Sequence, residues 1–306
     1  MTTTFSDLGV NTLLVKALDA LNIKNPTPIQ EKVIPVILNN KEDVVALAKT
    51  GTGKTAAFGL PLLQLIDVEN TRIQSVILAP TRELGQQIYN NLETFAVYNP
   101  KISIACICGG TPIKPQIERL KEDTHIIVAT PGRLADLVKR EAINIKNISY
   151  FILDEADEML RMGFIDDVEW IMEQIPEQRQ IALFSATMPP PIHKITKKYL
   201  NNPKEIFIKD KKSTTPAITQ RYWMVSGHHK LDALTRILEA EEFDAMIIFV
   251  RTKNATTELA DKLEARGYSA APINGDIAQN QREKTVENLK RKKIDILIAT
   301  DVAARG

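Results

Sequence analysis

This sequence has few cysteines and a net charge close to zero. Two cysteines and four histidines occur among 306 residues, and 39 basic residues balance 38 acidic ones to leave a formal net charge of +1. A charge near zero disfavours a protein that holds nucleic acid by bulk electrostatics alone, so any phosphate-contacting surface must be local. The histidines have no metal-ligand spacing. Cys106 and Cys108 alternate along a strand-like run, which favours a pair of buried thiols over a metal or redox pair.

Long apolar runs are missing as well. No stretch approaches the length of a membrane span, and Met1–Asp7 lacks the basic and apolar regions of a signal peptide. These absences predict a cytoplasmic protein without membrane contact. The composition, 44% hydrophobic and 25% charged, is that of a globular protein, and 306 residues exceed one ordinary α/β domain, so we expect two domains.

A glycine-rich segment between an apolar run and a helix-like run predicts a nucleotide site. Gly51 and Gly53 allow the backbone to curl around a polyphosphate, Lys54 can reach the β- and γ-phosphates, and Thr55 can bind Mg²⁺. The strict pattern begins with glycine, whereas this chain has Ala48 at that position. We predict that ATP is bound by Ala48, Lys49, Thr50, Gly51, Thr52, Gly53, Lys54 and Thr55.

Short β-rich runs alternate with amphipathic stretches over the first two thirds of the chain. This rhythm is typical of a parallel, doubly wound sheet, in which ligands bind at the carboxyl edge of the strands. Polar or special residues follow most of the runs, as that arrangement requires. The predicted strands are residues 44–48, 75–79, 102–108, 125–129, 150–153 and 181–184.

Two acidic residues follow one of the predicted strands. Asp154 and Glu155 come directly after the apolar run 150–153, in the same domain as Lys54. One carboxylate can hold Mg²⁺ while the other polarises an attacking water, which suits hydrolysis of Mg²⁺–ATP. An acidic N-terminus of a helix is the alternative interpretation of this pair taken alone.

The apolar rhythm stops near residue 210 and then restarts. We predict domains at residues 1–209 and 217–306, joined by a linker at 210–216. The second domain has predicted strands at 220–225, 245–250, 269–273 and 295–299, too few for a sheet of the first domain's size, so we interpret the chain as truncated. The basic run 290–293 is interpreted as a solvated helix end rather than an RNA contact.

Seven motifs, taken together and in order, resemble those of the DEAD-box RNA helicases. Two further stretches, 159–165 and 247–255, resemble the bacterial cold-shock members of that family. The resemblance spans essentially the whole chain. The motifs are Pro26–Gln30, Ala48–Thr55, Pro80–Glu83, Thr130–Arg133, Asp154–Asp157, Ser185–Thr187 and Thr300–Gly306.

The resemblance implies two RecA-like domains that close on ATP and single-stranded RNA and pry short duplexes apart. Gln30 would read adenine, supported by Phe5, and Asp154 would orient Mg²⁺. Glu155 would act as the base-like residue. Coupling of hydrolysis to unwinding is implied for Ser185 and Thr187. RNA contacts, mainly to the backbone, are implied for Pro80, Thr81, Arg82, Gly110, Thr130, Pro131, Arg133, Gln279, Arg282 and Thr300.

The chain also departs from the family pattern. Asn22-Ile23 stands where the family has glycine and an aromatic residue, Asn274 replaces a common histidine, and Gly85 replaces a usual alanine. The arginine-rich final motif and an RNA-binding tail lie beyond residue 306, so we expect little RNA-stimulated turnover from this chain.

The sequence leaves competing functions open. A DNA translocase of the same superfamily is one, although Gln30 and the Asp154–Asp157 tetrad favour RNA. An ATP-dependent RNA clamp, or assembly platform, is another. The resemblance suggests a role in cold adaptation, ribosome assembly or mRNA decay, with partner proteins from those processes.

Overall fold

The computed structural model describes residues 3–39, 42–208 and 219–300. Backbone contacts divide the chain into two compact units, residues 1–209 and 210–306. The predicted linker at 210–216 lies outside the described residues, and so do residues 301–306 of the last motif. The domain limits drawn from the sequence therefore stay a prediction.

The first unit is built on a parallel sheet of seven strands. The strands are β1 (Val44–Leu47), β2 (Ser75–Leu78), β3 (Ile104–Ile107), β4 (Ile126–Ala129), β5 (Tyr150–Leu153), β6 (Gln180–Ser185) and β7 (Lys204–Phe207). Their order in the sheet is β3-β4-β2-β5-β6-β1-β7. The predicted α/β class with a parallel sheet is thus confirmed. Strand β7 was not predicted, because only Ile206 in it is buried and no apolar run marks it.

Helices cover both faces of this sheet. Alternate residues of a strand point to opposite faces, so in β1 Val44 and Ala46 join one apolar core and Val45 joins the other. The described helices of this unit are α1 (Thr12–Ala20), α2 (Pro28–Asn39), α3 (Lys54–Leu65), α4 (Arg82–Phe95), α5 (Ile113–Arg119), α6 (Pro131–Lys139), α7 (Ala156–Arg161), α8 (Ile165–Met172) and α9 (Pro190–Tyr199). Side chains of α1 to α4 fill the first core, and those of α6 to α9 fill the second.

The N-terminal region forms two helices, α1 and α2. A turn separates α1 from α2, and within it Asn22 adopts φ of 59°. Positive φ is unfavourable for most residues but tolerated by asparagine. Asn22 can therefore replace the glycine that the family pattern has there, and the following Ile23 packs against the first core.

The second unit has a parallel sheet with the order β8-β10-β9 within the described residues. Its strands are β8 (Met246–Phe249), β9 (Ala270–Ile273) and β10 (Ile296–Ala299), and its helices are a 3₁₀ turn (Gly227–His229), α10 (Lys230–Ala240), α11 (Lys253–Glu264) and α12 (Gln279–Lys290). The strand predicted at 220–225 is wrong, because residues 219–226 have no regular secondary structure. Tyr222 and Met224 are 86% and 92% exposed, so the apolar pattern there is not packed on a sheet.

A close contact links α4 to the end of β3. Gly85 lies inside α4, and a Cβ atom at this position would lie 2.8 Å from the Sγ atom of Cys108. Real Cβ atoms essentially never approach another atom so closely. The glycine that departs from the family pattern is therefore matched to the cysteine that follows β3.

Gly85→Ala should lower the stability of the first unit. The methyl group overpacks the contact at a cost of about 1–3 kcal/mol, which outweighs a gain of about 1 kcal/mol from replacing a helical glycine. Hydrogen exchange in α4 and β3 measures the change.

Cys108→Ala provides the matched partner for this substitution. It removes the sulfur atom, so adding it to Gly85→Ala should restore most of the lost protection. If the two substitutions proved additive, the packing explanation would be wrong.

Candidate functional site

The strand order separates the predicted site residues into two neighbouring groups. The nucleotide motifs follow β1, β5 and β6, which are adjacent in the sheet, whereas the predicted RNA-contact motifs follow β2, β3 and β4, which are also adjacent. All six strands are parallel, so their carboxyl ends meet at one edge. The two groups thus lie side by side on the same edge of one rigid sheet.

The glycine-rich loop leads directly into α3. Gly53 precedes the helix with φ of 90°, and Gly51 has φ of 75°, conformations that side chains rarely adopt. The hydroxyl of Thr52 donates to the carbonyl of Lys49 at 2.8 Å and closes the turn. Lys49 and Thr50 are exposed at the loop. Because Gly53 has no side chain to cap α3, the first N–H groups of that helix are suited to bind an anion.

Lys54 is the first residue of α3 and is only 6% exposed. Its Nζ atom lies 3.7 Å from Oδ1 of Asp154 and has no hydrogen-bond partner among the described residues. A buried ammonium without acceptors is costly. The site consequently fits a ligand that supplies anionic oxygens at this point, as a polyphosphate does.

Gln30 is 4% exposed and supports the same loop. Its Oε1 atom accepts from the N–H of Thr27 at 2.8 Å, and its Nε2 atom donates to the carbonyl of Gly53 at 3.0 Å. The hydroxyl of Thr27 donates to the carbonyl of Thr52 at 2.8 Å. A carboxamide has one further hydrogen and one further lone pair to offer, so Gln30 can contact a base while holding the loop.

The acidic pair lies where β5 ends. Asp154 is 2% exposed, and its Oδ1 atom accepts from the N–H of Glu155 at 3.0 Å. Burial raises the pKa of Asp154, and the neighbouring Lys54 partly offsets this. Glu155 adopts φ of 54° and ψ of 52°, which is uncommon outside glycine. Burial, and then the charge of Asp154, raise the pKa of Glu155, which makes its carboxylate a stronger proton acceptor.

Asp157 joins this motif to the end of β6. Its Oδ2 atom accepts from the N–H and the hydroxyl of Thr187, at 3.0 Å and 2.7 Å. Ser185 accepts from the N–H of Asp157 at 3.3 Å and donates to the carbonyl of Thr187 at 2.7 Å. Burial acts to raise the pKa of Asp157, but these hydrogen bonds outweigh it, so the pKa lies below its ordinary value. The segment that follows β5 and contains the acidic pair is thereby hydrogen-bonded to the end of β6.

The predicted RNA residues of the first unit lie after β2, β3 and β4, at one edge of the sheet. Thr81 caps α4 by accepting from the N–H of Leu84 at 3.2 Å, next to the buried Pro80 and the half-buried Arg82. Thr130 accepts from the N–H of Gly109 at 3.0 Å and precedes the buried Pro131.

Arg133 lies in α6 and hydrogen-bonds to the segment that follows β3. It donates to Oε1 of Gln116 at 2.6 Å and to the carbonyl of Thr111 at 2.8 Å. Gly110, which precedes Thr111, is exposed and has φ of 81°.

The second unit holds the remaining predicted RNA residues. Gln279 begins α12, where its Nε2 atom donates to Glu283 at 3.2 Å, and Arg282 is half-buried one turn later. Thr300 follows β10 and is 9% exposed. Asn274, which follows β9, is buried and donates to the hydroxyl of Thr256 at 2.7 Å, so an amide anchors this loop.

Phe5 is the remaining predicted site residue, and three other residues contact the site without having been predicted. Phe5 is 2% exposed and packs in the first core, so its predicted contact with adenine stays a prediction. Sequence reasoning did not assign roles to Thr27, Gln116 or Asp157. Thr27 and Asp157 stand inside recognised motifs, so their positions gave a signal, whereas Gln116 lies outside every motif.

The hydrogen bonds to Asp157 have a measurable consequence. Its carboxyl should titrate below the ordinary value of about 3.9, and Thr187→Val should raise that pKa because one donor is lost. An acid with a lowered folded pKa stabilises the fold above its unfolded pKa, and this stabilisation disappears as pH falls through the folded pKa.

Carboxyl carbon chemical shifts followed by NMR between pH 2 and 6, a range chosen around that unfolded value, test this. Thr52→Val, which removes a hydroxyl that bonds elsewhere, is the control. An unchanged pKa in Thr187→Val would refute the proposed origin of the shift.

Comparisons with known proteins place these observations in a family. A DEAD/DEAH box helicase profile matches residues 27–195, and a helicase conserved C-terminal domain profile matches residues 229–306. The ATP-dependent RNA helicase DeaD of Escherichia coli K12 is 51% identical over 304 residues, and the same-named protein of Haemophilus influenzae is 47% identical over 303. Each alignment covers 99% of this chain but 48% and 49% of those proteins, so the chain spans about half of their length.

Solved structures give the same result. A DEAD box protein from the hyperthermophile Methanococcus jannaschii is 44% identical with a TM-score of 0.66, over 99% of this chain and 81% of that one. S. cerevisiae Dbp5 bound to RNA and ADP BeF3 is 31% identical with a TM-score of 0.88, over 99% and 77%. The predicted tandem RecA-like fold is thereby confirmed. Since the first profile alone spans more than half of the 306 residues, the chain belongs to the DEAD-box helicase family.

Proposed function

We propose that this chain is an ATP-dependent RNA helicase that separates short RNA duplexes locally when its two units close on ATP and single-stranded RNA. The observation that carries this proposal is the buried Lys54 ammonium, which lies at the start of α3 beside Asp154 without a hydrogen-bond acceptor among the described residues. The names of the similar proteins, which specify ATP-dependent RNA helicases, support the substrate class.

ATP is proposed to bind at the glycine-rich loop. The N–H groups of the loop and of the first turn of α3 would hold the phosphates, and Lys54 would contact their outer oxygens. Gln30 would contact adenine while it holds the carbonyl of Gly53, so that base recognition and loop conformation are joined.

Mg²⁺ is proposed to bind between Thr55 and Asp154. No group of three metal-binding side chains occurs in residues 3–39, 42–208 and 219–300. This fits Mg²⁺, which is usually held by one or two protein ligands together with substrate phosphates and water. Bound Mg²⁺ would neutralise charge on the phosphates, and Glu155 would take a proton from the attacking water.

RNA is proposed to contact the neighbouring part of the sheet edge through its phosphates. Arg82 and Arg133 supply cationic groups there. The hydroxyl of Thr130 accepts a hydrogen bond from Gly109 and does not cap α6, so the first N–H groups of that helix are left to bind a phosphate. Gln279, Arg282 and Thr300 are proposed to contribute from the second unit. Such contacts read the backbone and give little sequence specificity.

The connection between the sites is proposed to run through Asp157. Its bonds to Ser185 and Thr187 tie the acidic motif to the end of β6, so a change at the γ-phosphate can move that strand end. The proposed setting is the cytoplasm, in cold adaptation, ribosome assembly or mRNA decay, by similarity to the DeaD proteins. No helix among the described residues is long and apolar enough to cross a membrane.

The proposed function is tested by nucleotide-dependent binding and strand release. Single-stranded RNA should bind more tightly with a non-hydrolysable ATP analogue than without it, and a matched DNA should not. A version extended to the length of the curated relatives should release a labelled strand from a short RNA duplex when ATP is added. Equal action on DNA would support a translocase, and RNA retention without strand release would support a clamp.

Substitutions at Lys54 and Glu155 should separate binding from chemistry. Lys54→Ala should weaken Mg²⁺–ATP binding about tenfold to a hundredfold, because a charged hydrogen-bond donor is lost. Glu155→Gln should leave binding nearly unchanged while lowering turnover about 10²–10⁴-fold.

Calorimetric titration and single-turnover hydrolysis in the extended version measure these effects. Glu158→Gln is the charge-matched control, because Glu158 lies in the helix that Glu155 precedes and is paired with Arg161 at 3.4 Å. If Glu155→Gln abolished binding, Glu155 would be a metal ligand or structural acid instead.

Gln30→Ala should reduce the preference for ATP over GTP. Loss of a bidentate amide contact to a base costs about 1–3 kcal/mol of discrimination. Thr27→Val is the matched control, because it removes the bond to the carbonyl of Thr52 without changing the amide. It should weaken ATP and GTP alike, as competition titrations can show. Equal affinities for both nucleotides in the unsubstituted protein would exclude base recognition by Gln30.

A further inference from the structure

The two cysteines of the chain lie in contact at the edge of the sheet. Cys106 is in β3, an edge strand, and Cys108 follows its end. Their Sγ atoms are 3.4 Å apart, although the residues are two positions apart along an extended chain. Side chains at such positions share one face of a strand, and both thiols therefore lie on the face that packs against α4.

Access to the two thiols is unequal. Cys108 is buried at 3% exposure, whereas Cys106 is partly exposed, so the interpretation of both thiols as buried is wrong for Cys106. Cys108 is held against α4 at the position where Gly85 has no side chain. A reagent from solvent would thus reach Cys106 first, and the Cys108 thiol lies behind it at contact distance.

The surrounding charges also distinguish the two thiols. The hydrogen bond with Cys108 lowers the pKa of the Cys106 thiol, and the nearby Arg82 guanidinium adds to this against the effect of burial. The same bond, together with burial, raises the pKa of the Cys108 thiol. Among the described residues, Arg82 and Tyr89, both on α4, also interact electrostatically with Cys106. The more accessible thiol is therefore also the more acidic one, and thiolate is the nucleophilic form.

We propose that Cys106 and Cys108 form a dithiol modification site that reacts with a hydroperoxide to give an intramolecular disulfide. The Cys106 thiolate attacks the terminal peroxide oxygen, the O–O bond breaks, and an alcohol, or water from hydrogen peroxide, leaves with a proton. Cys106 is then a sulfenic acid. The Cys108 sulfur attacks that sulfur, an S–S bond forms, and the hydroxyl group leaves as water with the thiol proton. Two thiols lose two electrons, and the peroxide gains them.

Closure of this disulfide would disturb hydrogen bonds that hold two of the predicted RNA-contact residues, Thr130 and Arg133. The Cys108 carbonyl accepts from Nε2 of Gln116 at 3.0 Å, and Gln116 in turn accepts from Arg133 at 2.6 Å. The next residue, Gly109, donates to Thr130 at 3.0 Å. A disulfide needs its sulfur atoms about 2.05 Å apart, so the two side chains must approach each other, and any shift of the Cys108 backbone would carry these groups with it.

Mass spectrometry of the reduced chain treated with hydrogen peroxide tests the chemistry, and it needs neither ATP nor RNA. The peptide that contains both cysteines should lose two hydrogen atoms and resist alkylation until dithiothreitol is added. In Cys108→Ala the disulfide cannot form, so a dimedone adduct should accumulate on Cys106. Cys106→Ser should leave Cys108 unoxidised at the same dose. Separate oxidation of each cysteine to sulfinic acid in the unsubstituted chain, without a disulfide, would overturn the proposal.

A second measurement tests the link to RNA, and this link rests on the proposed function. Oxidation should lower analogue-dependent RNA affinity about tenfold, the effect of roughly 1.4 kcal/mol, and dithiothreitol should restore it. Nucleotide affinity without RNA should stay unchanged, because the loop after β1 lies in the other half of the sheet edge. In Cys108→Ala, neither peroxide nor dithiothreitol should change the RNA affinity. Unchanged RNA affinity with a complete disulfide would overturn the link to RNA. Absence of RNA binding in the reduced chain would instead contradict the proposed function.

Discussion

The buried pair formed by Lys54 and Asp154 is the constraint on which the first unit depends. Asp154 directly follows β5, Lys54 begins the helix that follows β1 and its loop, and β6 lies between those two strands. Burial of one charge without the other would be strongly unfavourable, so the ends of β1, β5 and β6 must keep their relative positions. At 3.7 Å the pair is too long for a hydrogen bond and leaves the ammonium's donors unused by the described residues. The fold thus holds the Lys54 ammonium in place without a hydrogen-bond acceptor from the described residues.

Strand order then determines which chemistry lies beside which. The acidic strand β5 is adjacent both to β6, which belongs to the nucleotide group, and to β2, which carries Pro80 and Thr81 at its end. Neighbouring strands cannot slide past each other without breaking their ladder of hydrogen bonds. A proposed signal from nucleotide to RNA therefore has two short routes, through Asp157 to Thr187 and across the β2–β5 pair. Neither route requires a long chain of contacts.

Much of the first unit could be predicted from sequence because its signals are local. Six strands are short apolar runs followed by polar motifs, and Gly51 and Gly53 mark the loop by their backbone requirements. Edge strand β7 was missed because a single buried residue gives no pattern. The strand predicted at 220–225 was wrong because apolar residues predict burial only when a partner surface exists, and Tyr222 has none within the described residues.

Tertiary contacts account for the rest. The second role of Gln30 as a support for Gly53, and the part of Gln116 between Cys108 and Arg133, depend on residues far apart in sequence. The match of Gly85 to Cys108 is of the same kind. A side chain at position 85 and the sulfur atom at position 108 would overpack the contact if both were present. The two positions are therefore coupled, and a substitution at either one is constrained by the residue at the other.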